Sequence, residues 1–382
     1  MLDLSCTEDL PREYRSHFPI AGRFAYLNHA SVSPLSIDSR DAMSRMLEGV
    51  SSGADRRFPE WEQSNTWSRA AAARLVNAKP HEIAFLRNTS EGLSVIANGI
   101  NWRRGDNIVT SEAEFPANIY PWMRVQQLGH VELRLQPARN GWVDTEELLS
   151  RIDERTRLVS VSWVQFGSGQ RLDIRRIGRH CRERNVLFVV DAIQGLGALQ
   201  LDVERDCVDA FASGGHKFLL GPKGVAILFV SDRVLDCIRP TVIGWTAVKE
   251  YRDYLLHDLD FRDGAARFEG GTLNEAGICG LGHSIDLMLN AGPERIERHL
   301  LSLNEYICHG LRERGYEVNG HTASERSAIV VCQHPAHRAE DLLATLEEKD
   351  VIISARLGKL RIAPHFYNSR EDADRLLEAL PA

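Results

Sequence analysis

Short apolar runs alternate with amphipathic stretches over most of this 382-residue chain. Residues 108–110, 158–162, 186–190 and 225–230 form such runs, and polar-faced helical patterns lie between them. Continuous apolar runs are typical of strands buried on both faces, and strands that alternate with helices form mostly parallel sheets. The sequence therefore predicts an α/β fold with a mostly parallel central sheet flanked by helices.

The last hundred residues have a different pattern. A long helix from about residue 277 to residue 289 leads into an antiparallel-looking tail, with strands predicted at residues 328–331, 351–354 and 360–362 and with Gly358 turning the last two. We predict a large domain over residues 21–276 and a smaller α+β domain from residues 1–20 and 277–382. At 43% hydrophobic content, the chain can bury one large core and a smaller one.

Lys217 follows a run of small residues and lies downstream of Asp191, which ends the apolar run 186–190. A lysine amine forms a Schiff base with an aldehyde only when it is deprotonated, and a desolvated site favours that state. A carboxylate at the carboxyl edge of the sheet can keep a pyridine nitrogen protonated, so that the ring withdraws electrons from the substrate. The pattern predicts pyridoxal 5'-phosphate, with Lys217 as the Schiff-base lysine, Asp191 on the ring nitrogen and Gln194 on the ring hydroxyl.

A phosphate site is predicted where Thr89 and Ser90 open an amphipathic helix after the apolar residues 83–86. Backbone N–H groups and hydroxyls at a helix start bind phosphate at the positive end of the helix dipole. Taken singly, these residues are an ordinary N-cap, a Gly-Gly-His-Lys run is more often a surface turn, and a strand-end aspartate usually caps a helix. Their combination in one chain favours the cofactor site.

From about residue 26 to residue 368, the chain resembles the class V aminotransferase family of fold-type I pyridoxal phosphate enzymes. The matching segments, in family order, are 88–92 for the phosphate, 112–118 with Phe115 stacked on the cofactor, 191–194 for the ring contacts, 216–217 for the Schiff base, and 268–272. The resemblance implies that Thr272 contacts the phosphate across a dimer interface. We therefore expect a homodimer with composite active sites.

The resemblance also implies how a small amino-acid substrate is held. Arg361 matches the arginine that binds the substrate carboxylate, a task that suits a planar, permanently charged guanidinium. Gly214 replaces a family serine, so Ser213 or His216 is expected to supply that phosphate contact, and either Gln165 or Phe166 stands where desulfurases have an asparagine. Further substrate contacts are expected from residues in matched segments, namely Asn28, His29, Ala30 and Arg356.

Two departures separate the chain from the cysteine desulfurases of this family. Phe115 stands where they have histidine, and phenylalanine cannot act as an acid or base. Residues 357–360, between Arg356 and Arg361, are too few for a mobile arm and contain no cysteine to carry sulfur. The chain is more similar to the branch of isopenicillin N epimerase, kynureninase and the carbon–sulfur lyases of sulfur-containing natural products.

Our first choice of reaction is β-elimination from an S-substituted cysteine or a related amino acid, with Lys217 as Schiff base and general base. Transamination, epimerisation and decarboxylative deamination stay open, and cysteine desulfuration is disfavoured. A nicotinamide-dependent oxidoreductase is disfavoured because the Gly-x-Gly-x-x-Gly fingerprint is missing. A non-catalytic cofactor-binding scaffold is disfavoured because both Lys217 and Asp191 are present.

Composition excludes several partners. The net charge of −7 and the pI of about 6.1 argue against nucleic-acid binding, which needs a basic surface. We expect no membrane span and no export signal, and the seven cysteines without paired spacing favour reduced thiols in the cytoplasm. His334 and His337 have no further ligand nearby in the sequence, so we predict no metal site.

Overall fold

The computed structural model describes residues 9–129, 131–320 and 322–381. Residues 1–8, which include the start of the predicted small domain and the stretch expected to carry no export signal, lie outside the described residues. The strands are β1 (Ala25–Tyr26), β2 (Ile83–Leu86), β3 (Asn107–Ser111), β4 (Glu132–Gln136), β5 (Thr156–Ser162), β6 (Leu187–Asp191), β7 (Ala210–Gly214), β8 (Ala226–Val230), β9 (Glu317–Val318), β10 (Val330–Gln333), β11 (Val351–Ile352), β12 (Ser354–Arg356) and β13 (Lys359–Ile362). The helices are α1 (Asp9–Tyr14), α2 (Ile37–Gly53), α3 (Phe58–Val76), α4 (Thr89–Gly99), α5 (Tyr120–Gln127), α6 (Thr145–Ser150), α7 (Ile174–Glu183), α8 (Glu275–Ala291), α9 (Pro293–Glu313), α10 (Ala339–Glu348) and α11 (Arg370–Ala379).

The central sheet has seven strands in the order β2-β8-β7-β6-β5-β3-β4. Strand β8 runs antiparallel to both of its neighbours, and the other pairs in the sheet are parallel. The prediction of a mostly parallel α/β sheet is therefore confirmed. Strand β7, with the small-residue sequence Ala-Phe-Ala-Ser-Gly, and the partly exposed β4 at the sheet edge lack the continuous apolar run that marks the other strands.

Alternate residues of the central strands pack on opposite faces of the sheet. On β6, Phe188 and Val190 join one core with α3, α7 and α8, whereas Leu187 and Val189 join a second core with α4 and α5. Both faces are therefore covered by helices, which explains why β6 is apolar from Leu187 through Val190.

The carboxyl ends of β2, β3, β5, β6 and β7 meet at one edge of this sheet. The strand order reverses between β3 and β5, which places a crevice at the point where open α/β sheets bind ligands. The segments that carry residues 89–90, 115, 165–166, 191 and 217 all begin at this edge. The topology thus brings together side chains that are far apart in the sequence.

A second, antiparallel sheet has the order β12-β13-β10-β9 and shares a core with α9, α10 and α11. The predicted turn at Gly358 is confirmed, but the single strand predicted at residues 351–354 is divided. Strand β11 pairs in parallel with β1, whereas β12 pairs with β13. The domain boundaries stay a prediction, and the β1–β11 pairing links residues near both ends of the chain.

No helix within the described ranges is long and apolar enough to cross a membrane. The same ranges contain no group of three or more His, Cys, Asp or Glu side chains arranged to hold a metal ion.

Gly197 and Gly129 provide a matched test of backbone packing behind the Lys217 segment. Both have positive φ, 98° and 91°, but a Cβ at Gly197 would lie 2.0 Å from the Phe218 carbonyl oxygen, whereas a Cβ at Gly129 would meet nothing within 4 Å. We expect Gly129→Ala to lower the free energy of unfolding by about 1 kcal/mol through φ strain alone, and Gly197→Ala to lower it by at least about 3 kcal/mol. Urea denaturation of both variants measures the difference, and equal losses would contradict it.

Candidate active site

The backbone around Lys217 is held from two distant parts of the chain. Ser33 N–H donates to the His216 carbonyl at 2.8 Å, and Ser33 Oγ donates to the Lys217 carbonyl at 2.6 Å. From the other side, His365 Nε2 donates to the Phe218 carbonyl at 2.9 Å. Because three consecutive carbonyls are bonded, the lysine leaves a fixed backbone, and its side chain has a defined starting direction.

Asp191, which is buried, and Lys217, which is partly buried, influence each other's ionisation. Asp191 is 2% exposed, and its Oδ1 accepts from Ile193 N–H at 3.0 Å. Burial raises the pKa of Asp191, Glu114 adds to the rise, and the charge of Lys217 opposes it. Burial lowers the pKa of Lys217, Arg361 and Arg356 lower it further, and Asp191 opposes them. The neutral amine that aldehyde chemistry requires is thus favoured at a lower pH than for an exposed lysine.

Phe115 lies beside this amine. Its ring is 44% exposed, and the Lys217 Nζ lies 5.7 Å from the ring centroid. The ring of Phe166 meets it edge to face, with centroids 5.2 Å apart. One face of Phe115 is therefore available at the crevice, and its predicted role as a stacking ring stays a prediction.

Glu114 was not singled out from the sequence, yet it anchors this side of the site. Its buried carboxylate accepts hydrogen bonds from Ser162 N–H at 2.7 Å, from Gln165 Nε2 at 2.8 Å and from Asn118 Nδ2 at 2.8 Å, and also from the Ser162 hydroxyl. The bond to Gln165 fixes that amide and leaves its Oε1 buried without a partner. The signal available in the sequence was the position of Glu114 directly before Phe115.

The predicted phosphate end lies at the start of α4. Asn88 Oδ1 caps the helix by accepting from Glu91 N–H at 2.9 Å, and Thr89 Oγ1 accepts from Gly214 N–H at 2.9 Å, which joins α4 to β7. The Ser90 side chain is exposed, whereas Ser213 Oγ is buried without a partner.

The ring of His216 lies beside Gly214. A Cβ on Gly214 would lie 3.1 Å from His216 Cε1, so the imidazole occupies the space beside that backbone. Burial lowers the pKa of His216 to about 4, and the charges of Lys217 and Lys223 act in the same direction, so the ring is neutral at physiological pH. Its phosphate contact stays a prediction.

Arg361 is the most deeply buried of the predicted substrate contacts with a charge, at 2% exposure. It donates to Ser354 Oγ at 3.3 Å, the Phe166 carbonyl at 3.2 Å and Ser31 Oγ at 2.8 Å. Burial lowers the pKa of Arg361 to about 10, helped by the charge of Arg356. Its recorded partners are all neutral oxygens, so an anion at this position would complete the site.

The first predicted substrate segment is largely occupied by internal bonds. His29 is fully buried, and its two ring nitrogens are bonded to the Ala363 carbonyl and the Tyr367 hydroxyl, each at 2.8 Å. Neither nitrogen is left for a substrate, so this geometry gives His29 a structural role instead of the expected contact. The Ala30 carbonyl accepts from Gln194 Nε2 at 3.1 Å, while Asn28 Oδ1 is buried without a partner.

Thr272 is exposed, on the loop that follows Phe268. Glu269, three residues earlier, is buried, pairs with Arg69 at 2.8 Å and accepts from Phe85 N–H at 2.7 Å. This fixes the loop, and Thr272 lines a groove together with Phe58 and Trp245. Thr272 also lines a second groove with Arg87 and Glu91 at the start of α4, and its contact with a phosphate across a dimer interface stays a prediction.

Comparison with known proteins agrees with this architecture. The family model for class V aminotransferases matches residues 33–376. A probable cysteine desulfurase of Methanothermobacter thermautotrophicus is 30% identical and aligns over 98% of this chain and 97% of its own. The structure of a cysteine desulfurase from Thermococcus onnurineus NA1 superposes with a TM-score of 0.89 at 26% identity, covering 96% of each chain. A cystine C–S lyase shares the fold, with a TM-score of 0.86 at 24% identity over 94% of this chain and 98% of that one.

The fold is that of the fold-type I pyridoxal phosphate-dependent enzymes. The chain belongs to the class V aminotransferase family and is a pyridoxal phosphate-dependent enzyme.

The residues at the crevice fit this cofactor. Gln194 Oε1 and Ser213 Oγ are buried without partners, as expected for groups that bond to a bound molecule. Asp191 uses one carboxylate oxygen on Ile193 and leaves the other for a ring N–H. The charges of Asp191 and Arg361 shift the pKa of the Lys217 amine in opposite directions.

The balance of charges around Lys217 predicts how its reactivity depends on pH. In cofactor-free protein, acetylation of Lys217 by acetic anhydride, followed by peptide mass spectrometry, is expected to reach half its limiting rate at a lower pH than acetylation of exposed lysines. Arg361→Gln removes a positive charge and raises this half-point, whereas Asp191→Asn removes a negative charge and lowers it, each by roughly half to one pH unit. The exposed Arg40, paired with Asp41, supplies a control variant, Arg40→Gln. Identical half-points in all four proteins would contradict the electrostatic account.

Proposed function

We propose that this enzyme cleaves the Cβ–S bond of an S-substituted cysteine or a related amino acid by β-elimination. The α-proton of the substrate passes to Lys217 Nζ, the Cβ–S bond breaks with its electron pair leaving on sulfur, and water converts the released aminoacrylate to pyruvate and ammonia. The observation that carries the proposal is the lowered pKa of Lys217, which favours its neutral amine. The neighbouring ring of Phe115 cannot act as an acid or a base, so Lys217 is the base beside the reacting group.

The bound cofactor supplies an electron sink for the bond broken at the α-carbon. Asp191 would hold its ring nitrogen, Gln194 its ring hydroxyl, and Thr89, Ser90, Ser213 and His216 its phosphate, while Lys217 would hold it covalently. Arg361 would orient the substrate by its α-carboxylate, because two of its five N–H donors are not used by Ser354, Phe166 and Ser31. Phe115 would exclude water from one side of the reacting group.

Cysteine desulfuration is the activity named for several relatives, and the β12–β13 hairpin argues against it here. Leu357 and Gly358 both adopt positive φ and form a tight turn, so no mobile arm separates Arg356 from Arg361. Cys332 on β10 is the strand partner of Leu360 on β13, so its side chain lies on the opposite face of the sheet from Arg361. Burial raises the pKa of Cys332 to about 12, which suits a core thiol and not a sulfur acceptor.

The proposal predicts repeated release of pyruvate and free thiol from S-substituted L-cysteines in the absence of any keto acid. Lys217→Ala is expected to reduce this rate by more than about a thousandfold, because the group that takes the α-proton is lost. Pyruvate is measured with lactate dehydrogenase, and the visible cofactor spectrum is followed in parallel. A stoichiometric spectral change that only an added keto acid reverses would show a transaminase and refute the lyase.

We also propose that the enzyme is a homodimer in which Thr272 of one subunit completes the phosphate site of the other. Two features support this: Thr272 is exposed on a loop that Glu269 holds in place, and large apolar side chains lie exposed on the preceding segment. These are Val242, Ile243, Trp245, Tyr254, Leu255, Leu256 and Leu259. Contiguous exposed apolar surface of this kind is typical of protein interfaces.

Composite sites predict complementation between two inactive variants. Thr272→Asp places a carboxylate against the partner's phosphate site, and Lys217→Ala removes the reactive amine, so each variant alone is expected to be inactive. After subunit exchange, one site of each mixed dimer is intact, and about a quarter of wild-type activity is expected from random pairing. Lys217→Ala mixed with itself is the control. Failure of the mixture to recover activity, with exchange confirmed by mass, would refute the shared site.

A further inference from the structure

The β12–β13 hairpin presents several cationic side chains on one face. Ser354 pairs with Arg361 and Arg356 with Lys359, and directly paired residues project from the same side of a sheet. The two-residue turn at Leu357 (φ 53°) and Gly358 (φ 75°) fixes this register. Two arginines that are five positions apart in the sequence are therefore aimed in the same direction.

Both arginines reach the same hydroxyl group. Arg361 Nη2 donates to Ser31 Oγ at 2.8 Å, and Arg356 Nη2 donates to it at 3.3 Å. The remaining recorded acceptor of Arg356 is the Ala355 carbonyl at 2.6 Å. In the described part of the chain, neither guanidinium has a carboxylate within ion-pair distance, although arginines elsewhere, such as Arg15 with Asp372, have one.

Two like charges on one hydroxyl repel each other, and the charge of Arg356 helps to lower the pKa of Arg361. The acidic groups nearby do not balance them. Asp191 lies at the end of β6 on the other side of Lys217, and Glu114 is fully bonded to Ser162, Gln165 and Asn118. The α-carboxylate of an amino acid would neutralise Arg361 alone, which leaves Arg356 without an anion.

We propose that the substrate carries a second carboxylate, on its side chain, and that Arg356 binds it at the mouth of the site. This inference rests on the proposed function for its chemistry: the substrate would be a cysteine whose S-substituent ends in a carboxylate. Arg356 is exposed, so the carboxylate lies towards solvent and the S-substituent spans from the reacting Cβ–S bond to the opening. A neutral S-substituent would leave the charge of Arg356 unpaired.

The test compares two isosteric substrates of the holoenzyme, S-(carboxymethyl)-L-cysteine and S-(carbamoylmethyl)-L-cysteine, which differ in charge and not in size. We expect kcat/KM to be at least roughly fivefold higher for the acid, since an exposed ion pair contributes modestly, and the ratio to fall as salt is added. In Arg356→Gln the ratio is expected to fall to about one, and Arg356→Lys should retain part of it. Equal values in the wild-type enzyme, or an unchanged ratio in Arg356→Gln, would overturn the inference.

Lys359→Gln is the matched control. It removes one positive charge from the same face of the same hairpin, but Lys359 Nζ donates to Asn319 Oδ1 at 3.2 Å and does not share Ser31. The acid-to-amide ratio should therefore be retained in this variant. A loss as large as that in Arg356→Gln would mean that general charge, and not a specific contact, selects the acid, and would overturn the inference.

Binding separates this inference from the lyase proposal. If neither cysteine derivative is turned over, the proposed reaction fails, and the charge preference is then measured by titrating the holoenzyme with L-glutamate against L-glutamine and L-aspartate against L-asparagine while following its visible spectrum. Tighter binding of the acids, lost in Arg356→Gln, would support the second carboxylate site without the lyase. Equal binding of acids and amides would refute it, whatever the reaction.

Discussion

The electrostatic interaction between Asp191 and Lys217 is the one on which the rest of the site depends. Each group alone would be costly to bury in its charged form, and each shifts the other's proton equilibrium. Two further charges modulate the pair from opposite sides: Glu114 acts on the aspartate, and Arg361 acts on the lysine. Burial raises the pKa of Glu114, and its hydrogen bonds from Ser162 and Gln165 oppose that rise, so the balance also depends on residues outside the pair.

The pair also depends on contacts between the two halves of the structure. Asp191 and Lys217 follow adjacent strands of the central sheet, yet the backbone of Lys217 and its neighbours is held by Ser33 and by His365. His365 follows β13 of the small sheet, and Ser33 follows the segment that bridges to Ala363. Contacts from outside the central sheet therefore help to position the lysine.

Sequence patterns predicted those strands and residues whose role depends on their own side chains and on their neighbours in the sequence. The continuous apolar runs located β5, β6 and β8, and the strand-end Asp191 with the downstream Lys217 located the site edge. Strand β7 was not predicted, because its mostly small residues do not form a continuous apolar run, although it leads directly to Lys217. His29 was predicted to contact substrate, but its ring bonds to residues more than 330 positions away. The roles of Glu114, Ser31 and Ser33 were not predicted either, because their hydrogen-bond partners are distant in the sequence and come close only in the folded chain.

The short hairpin between Arg356 and Arg361 affects both the room for a mobile cysteine and the position of Arg356. Four residues between two arginines are too few to carry a mobile thiol, and that much follows from the sequence. The consequence for Arg356 depends on register, because a tight turn pairs Arg356 with Lys359 and so places it on the face that carries Arg361. A longer arm would free Arg356 from Ser31 and let it leave the crevice. The tight turn thus fixes a second cation beside the first, an arrangement that under our proposal favours recognition of an acidic substrate over sulfur transfer.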